Sequence, residues 1–457
     1  PKLWAITMLT SSYLLLIPGL TNVLLSFSII VNVIGHRIRV HPNASEPACT
    51  ESTPGLVHLL WDTGGKTGAT LIVLFAVVIP VLELIFLALG ELFRFRSSSG
   101  CSKFFRMSII WVQHRSKWAS PDMFAYTLLV YLIRHLDHDP LILTRAQLDI
   151  GFACFCAFCV CATVSALGFP LPEVKDEKVR EGDSTPPMLL RCLGEGGVAV
   201  VATLLSAAFA FLLLKGCQEP VMQFRINERP LYQPVGPLPL SAKPAVEMLD
   251  IPEMLNADVS LQQCMEAMIG WARDGEATSA LASVMWGVFV LGLTAADVLM
   301  LLLSAWRLCI CGIDRAPGIW AHRDPALLNA TPCTFMIVSR LLKKLAMLDV
   351  AVVGIYLVTY CMAIYASIGV LVTTREGIVV LFGAEVVHNL LYWIVSSVAD
   401  YPAEAASYLA AAIEEENPTN EDCAKGCGGL NCFFDAKLCT VGGWAVATKA
   451  SASRELA

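Results

Sequence analysis

Eight apolar stretches, near residues 7–34, 68–91, 120–135, 148–168, 192–215, 278–305, 345–368 and 377–399, limit what this chain can fold into. A bilayer core offers no water to an unpaired peptide group, so a spanning segment of about 20 apolar residues must be helical. The expected class is therefore an all-α membrane protein with about eight transmembrane helices. Composition agrees: 56% of the residues are hydrophobic and 16% charged, whereas a soluble domain is about a quarter charged. Mean hydropathy is +0.63. The third stretch is short and opens on Pro121 and Asp122, so seven spans is the main alternative.

Lys and Arg placement sets the expected orientation. Loops 92–119, 169–191 and 306–344 carry 16 basic residues in 90, whereas loops 35–66, 135–147, 216–276 and 369–375 carry 9 in 113. The first face, with both termini, is predicted to be cytoplasmic. The sequon Asn43-Ala-Ser45 then lies outside and is a glycosylation candidate, whereas Asn329-Ala-Thr331 lies inside. Residue 1 is Pro, compatible with a segment preceding it. Cys154, Cys156, Cys159 and Cys161 sit within one apolar stretch and read as small packing residues.

An internal repeat is expected. Trp61-x-x-x-Gly65 and Trp271-x-x-x-Gly275 precede the second and sixth stretches, 210 positions apart. Lys117 to Asp122 and Lys344 to Asp349 open the third and seventh, 227 apart. Four spans per unit make this a parallel repeat. The expected divisions are a first four-helix unit at 1–168, a cytoplasmic linker at 169–191, a second unit at 192–399 with an outer loop at 216–276, and a cytoplasmic tail at 400–457.

The residues that carry this pattern are Leu59-Leu60-Trp61-Asp62-Thr63-Gly64-Gly65, Val78-Ile79-Pro80-Val81-Leu82-Glu83-Leu84 and Trp118-Ala119-Ser120-Pro121-Asp122-Met123-Phe124, followed in the second half by Leu345-Ala346-Met347-Leu348-Asp349-Val350. They resemble the paraquat-inducible protein A family of bacterial inner-membrane proteins, similarly built from two four-span units. The resemblance implies a role in handling lipid or another hydrophobic molecule, with membrane lipids and envelope or membrane-bridging proteins as partners. The chain departs from that pattern in three ways. No cysteine-rich zinc ribbon precedes residue 192, Thr294 and Asp297 stand where the sixth span would carry Pro, and the outer loop 216–276 is long.

Ionisable residues at membrane depth cost at least about 2.5–3.5 kcal/mol and face protein or water. Glu83 and Asp297 are expected to face equivalent grooves as proton-handling residues. Asp122 and Asp349, at helix starts, read either as first-turn carboxylates that complement the macrodipole or as part of a substrate or proton path. Glu385, His388 and Asn389 share one helix face and form the densest polar cluster, suited to proton or polar-substrate handling or to helix-packing hydrogen bonds. Glu-x-x-His also suits a metal, given ligands from other helices. In the tail, Cys423, Cys427, Cys432 and Cys439 lack paired Cys-x-x-Cys knuckles and are weak metal candidates.

No phosphate loop, nucleophile elbow or His-Glu-x-x-His helix is present, so an enzyme is not expected; nor is a cofactor or a nucleic-acid partner. Two functions remain: transport of a lipid or hydrophobic substrate, with proton coupling through Glu83, Asp297 and the Glu385 cluster, or a non-transporting scaffold or sensor whose basic loops bind lipid or protein.

Overall fold

The computed structural model describes residues 3–33, 36–39, 49–93, 99–140, 142–170, 188–227, 256–311, 334–362 and 370–416. Asn43, Cys423, Cys427, Cys432 and Cys439 lie outside them. In the first half the order is α1 (Leu3–Thr21), β1 (Leu25–Val33), β2 (His36–Arg39), β3 (Cys49–Glu51), α2 (Thr53–Asp62), α3 (Lys66–Val73), a π-helical stretch (Leu74–Val78), α4 (Ile79–Leu92), α5 (Ser99–Arg115), a 3-10 turn (Ser116–Ala119), α6 (Pro121–His135), β4 (Ile142–Leu148) and α7 (Ile150–Leu167). The second half runs α8 (Met188–Gln218), β5 (Pro220–Ile226), β6 (Ala257–Ser260), α9 (Leu261–Arg273), α10 (Ala277–Val284), a π-helical stretch (Met285–Gly292), α11 (Leu293–Cys311), α12 (Thr334–Leu345), α13 (Leu348–Met362), β7 (Val370–Thr374) and α14 (Glu376–Glu416).

This is an all-α membrane protein whose helices carry two small sheets. Among the described residues, seven helical stretches are long and apolar enough to cross a membrane: Leu3–Thr21, Lys66–Leu92, Ile150–Leu167, Gly196–Gln218, Ala277–Ile310, Thr334–Met362 and Glu376–Ala399. α6 is the remaining helix among the eight expected, and its 15 residues span only about 22 Å. It lies within protein: 12 of those residues are buried. α13 has the same length and reaches spanning length only together with α12, from which Ala346 and Met347 separate it. Outside this pair the long helices turn Val81, Leu84, Ile85, Leu204, Phe211, Val379 and Trp393 outward, as lipid-facing surfaces require.

The first expected span, 7–34, is corrected. Its helix stops at Thr21, and Leu25–Val33 is a strand. The segment LSFSIIVNV is rich in β-branched residues. It pairs antiparallel with β4 along one edge, Phe27 opposite Ala146, and with β2 and β3 along the other. Backbone groups that leave the helix are thus satisfied within a sheet. In the second half β5 is the central strand, pairing with β6 and β7 with Met222 opposite Thr374. Loops 135–147, 216–276 and 369–375 therefore each contribute strands.

The two halves keep a common spacing. Gly64 and Gly275, both at positive φ, lie 211 positions apart, as do Lys66 and Ala277 and the first π-helical residues Leu74 and Met285. Each positive-φ glycine follows a helix C-cap, Thr63 or Asp274. Counted from these caps, Trp271 matches Leu60, so the expected pairing of Trp61 with Trp271 slips by one residue. Burial explains the register: Leu60 is buried at the end of α2, whereas Trp61 is 53% exposed. At the start of the last helix of each half, a Cβ on Gly151 would meet Val23 O at 2.6 Å, and one on Gly377 would meet Pro220 O at 2.6 Å.

α6 and α13 pack against each other at the centre, bringing the halves together. The contact is close because residue 354 is glycine; a Cβ there would lie 2.6 Å from Pro121 O and 2.8 Å from Phe124 Cβ. On the sheet side, the Arg134 guanidinium stacks over Trp271 at 4.2 Å and pairs with Glu276 at 2.6 Å. Burial pushes the Glu276 carboxyl up, but the Arg134 guanidinium and the Ser279 hydroxyl outweigh it and hold the group below its usual range. Gly354→Ala should cost about 1–3 kcal/mol through overpacking of backbone against backbone. A lowered thermal midpoint of the purified chain in detergent is expected, and an unchanged midpoint would refute this packing.

Candidate functional site

Three helices of the second half bring ionisable groups together. α11 carries Asp297, α12 carries Ser339 and Lys343 one turn apart, and α14 carries Glu385, His388 and Asn389. The spacings of four, three and four put each set on one helix face. His388 and Asp297 are 0% exposed and Glu385 is 7% exposed.

The imidazole is the hub. His388 Nε2 lies 2.8 Å from Asp297 Oδ2 and Nδ1 lies 3.1 Å from Glu385 Oε2. Lys343 Nζ reaches Glu385 Oε1 at 3.2 Å and His388 Nδ1 at 3.1 Å. Ser339 Oγ donates to Asp297 Oδ1 at 2.5 Å. Asn389 Nδ2 donates to Glu385 Oε1 at 2.7 Å. The Phe209 ring from α8 covers the imidazole, with centroids 5.6 Å apart. Buried charges need such partners, because desolvation costs several kcal/mol per ion.

This geometry accepts two proton arrangements. A neutral imidazole with its proton on Nε2 donates to Asp297 and accepts from the Lys343 ammonium at Nδ1. An imidazolium donates to both carboxylates, and Lys343 then donates to Glu385 alone. The second state balances two carboxylates with two cations, while the first carries one net negative charge. One proton can thus enter or leave without rearranging the heavy atoms.

The other expected residues fall elsewhere. Asp122 and Asp349 each sit second in their helices, and Oδ1 accepts the next backbone N–H, of Met123 at 3.1 Å and Val350 at 3.0 Å. Both therefore act on the first turn, and Asp349 does more. Lys117 pairs with it at 2.8 Å and also donates to Ala346 O at 3.0 Å, crossing from one half to the other. Lys117 is also close enough to act electrostatically on Glu385. Lys344, at the position matching Lys117, instead donates to Gln113 Oε1 at 2.9 Å.

Glu83 is buried in α4, and its Oε1 has no hydrogen-bond partner among the described residues. It does not share Asp297's setting. At the 211-residue spacing Glu83 matches Thr294, whereas Asp297 matches Phe86. Expecting equivalent grooves for this pair overlooked that one helical turn leads to different neighbours. Among the described residues, no group of three or more His, Cys, Asp and Glu side chains is placed to hold a metal ion.

Lys343 and Ser339 escaped the sequence reading. Lys343 was counted with Lys117 and Lys344 among cytoplasmic loop charges, but all three bond inside the protein. The four-residue spacing of Ser339 and Lys343 on an amphipathic stretch was the signal available.

A family model, Paraquat-inducible protein A, matches residues 48–173. The resemblance seen in the sequence therefore holds over β3 through α7, which includes Glu83, Lys117 and Asp122; the His388 cluster lies beyond the matched segment. No curated protein and no solved structure matches the chain.

Removing Lys343 should strand a buried carboxylate. Lys343→Met is expected to cost about 3–5 kcal/mol, and adding Glu385→Gln should restore part of the loss. Thermal unfolding of both variants checks this; additive losses would show that the contact carries no coupling.

Proposed function

We propose that the chain serves transport of a lipid or another hydrophobic substrate across or between membranes, with proton exchange at Asp297, His388, Glu385 and Lys343 coupled to that movement. The observation that carries this reading is the buried imidazole held between two carboxylates and an ammonium at membrane depth. Such groups are costly there, and this set can gain or lose one proton within the same heavy-atom arrangement. The family resemblance supplies the substrate class. In this reading the chain is not an enzyme, both termini are cytoplasmic, and the partners are membrane lipids and envelope or membrane-bridging proteins. We further read the common spacing of the halves as a tandem repeat of one four-helix unit, with α6 and α13 as matching third helices.

Proteoliposomes carrying a fluorescent phospholipid test the function. Lipid movement by the native chain should change with pH as the His388 imidazole gains or loses its proton. Glu385→Gln keeps the hydrogen-bonding shape and removes the charge, so it should insert in normal amount and lose that pH dependence. Equal pH dependence in both proteins would make the cluster structural. Lack of lipid movement by the native chain at every pH would favour the scaffold or sensor.

A further inference from the structure

The matching place in the first half is built differently. At the 227-residue spacing that relates Asp122 to Asp349 and Lys117 to Lys344, Lys343 matches Ser116. Burial supports that register: Ile109 and Val112 in α5 are buried, as are their counterparts Met336 and Ser339 in α12. Where the second half inserts an ammonium, the first half has a hydroxyl.

The polar atoms around that position lack partners. Glu83 Oε1, Ser116 Oγ and Asp122 Oδ2 are all buried without a hydrogen bond among the described residues, in side chains 2%, 2% and 1% exposed. The 3-10 turn that begins at Ser116 packs against α4, which carries Glu83, and against α7. Cys159 of α7 interacts electrostatically with both Glu83 and Asp122 and lies 3.5 Å from Ala119 O. Glu83 of α4 and Asp122 of α6 thus both lie near Cys159 of α7, and the turn that begins at Ser116 packs against α4 and α7. Lys117, next to Ser116 in sequence, is committed to Asp349, and Lys344 is turned to Gln113. Leaving buried polar atoms unpaired is costly, and a buried carboxylate needs either a positive partner or a proton.

We propose that Glu83, Ser116 and Asp122 form a binding site for a singly charged cationic group, with a bound cation in the place that the Lys343 side chain fills in the other half. The shared chemistry is a small monovalent cation that takes oxygen ligands, whether an alkali ion or the ammonium of a lipid headgroup. The site is separate from the His388 cluster, and the inference rests on the spacing of the halves rather than on proton exchange.

The full chain in nanodiscs tests it through the thermal midpoint. Phosphatidylglycerol discs are compared in sodium, potassium and N-methylglucamine chloride at equal ionic strength, and discs containing phosphatidylethanolamine are compared in N-methylglucamine chloride. A saturable upward shift with sodium or potassium identifies an inorganic ion; a shift with phosphatidylethanolamine alone identifies the lipid ammonium. Glu83→Gln should abolish the shift, whereas Glu385→Gln should retain it. Ser116→Lys should give a midpoint independent of added cation, because the ammonium is then tethered as in the second half. One midpoint for the native chain in every salt and lipid, or a shift that persists in Glu83→Gln, would overturn the proposal. The native comparison stands even if a variant fails to fold.

Discussion

The pairing of Lys117 with Asp349 is the interaction on which the centre of this protein depends. It joins a cation of the first half to a carboxylate of the second, at the start of two helices too short to cross a bilayer by themselves. α6 can be that short because 12 of its residues are buried within the protein, whereas α13 continues from α12 and leaves Tyr356 and Tyr360 exposed. Gly354 lets their backbones approach, and the Lys117 ammonium ties the helix start at Asp349 to the 3-10 turn before α6. With these contacts fixed, the long helices can bury one face on the pair and leave apolar side chains toward lipid.

The same constraint bears on the different interiors of the two halves. Every charged group removed from water must find a partner or lose its charge. The second half does so with Lys343, His388, Asp297 and Glu385, whose charges can balance. In the first half Ser116 and Phe86 stand at the established spacings from Lys343 and Asp297, and the carboxyls of Glu83 and Asp122 lie among apolar and thiol groups. Chemistry is therefore concentrated in the second half, while backbone landmarks such as Gly64 and Gly275 remain in common.

Much of this was legible in the sequence, for identifiable reasons. Long apolar runs mark helices strongly, and α7 and α14 begin within two residues of the expected 148 and 377. The face shared by Glu385, His388 and Asn389 followed from helical spacing. What escaped notice depended on contacts distant in sequence. The strand Leu25–Val33 reads as an extension of an apolar helix until its pairing with β4 is known. Lys343 resembles a surface charge until α12 is seen to lie against α14, and Trp61 attracts attention by its residue type although Leu60 occupies the buried register.

The central claim is that the His388 cluster gains and loses a proton in place. Infrared difference spectroscopy of the membrane-embedded chain, titrated across the histidine range with Glu385→Gln and Asp297→Asn as assignments, tests it most directly. The account predicts a reversible change in imidazole and carboxylate bands that each substitution alters, with little change in the amide bands because the heavy atoms stay in place. Bands from these residues that stay constant throughout the titration would show a fixed network and contradict it.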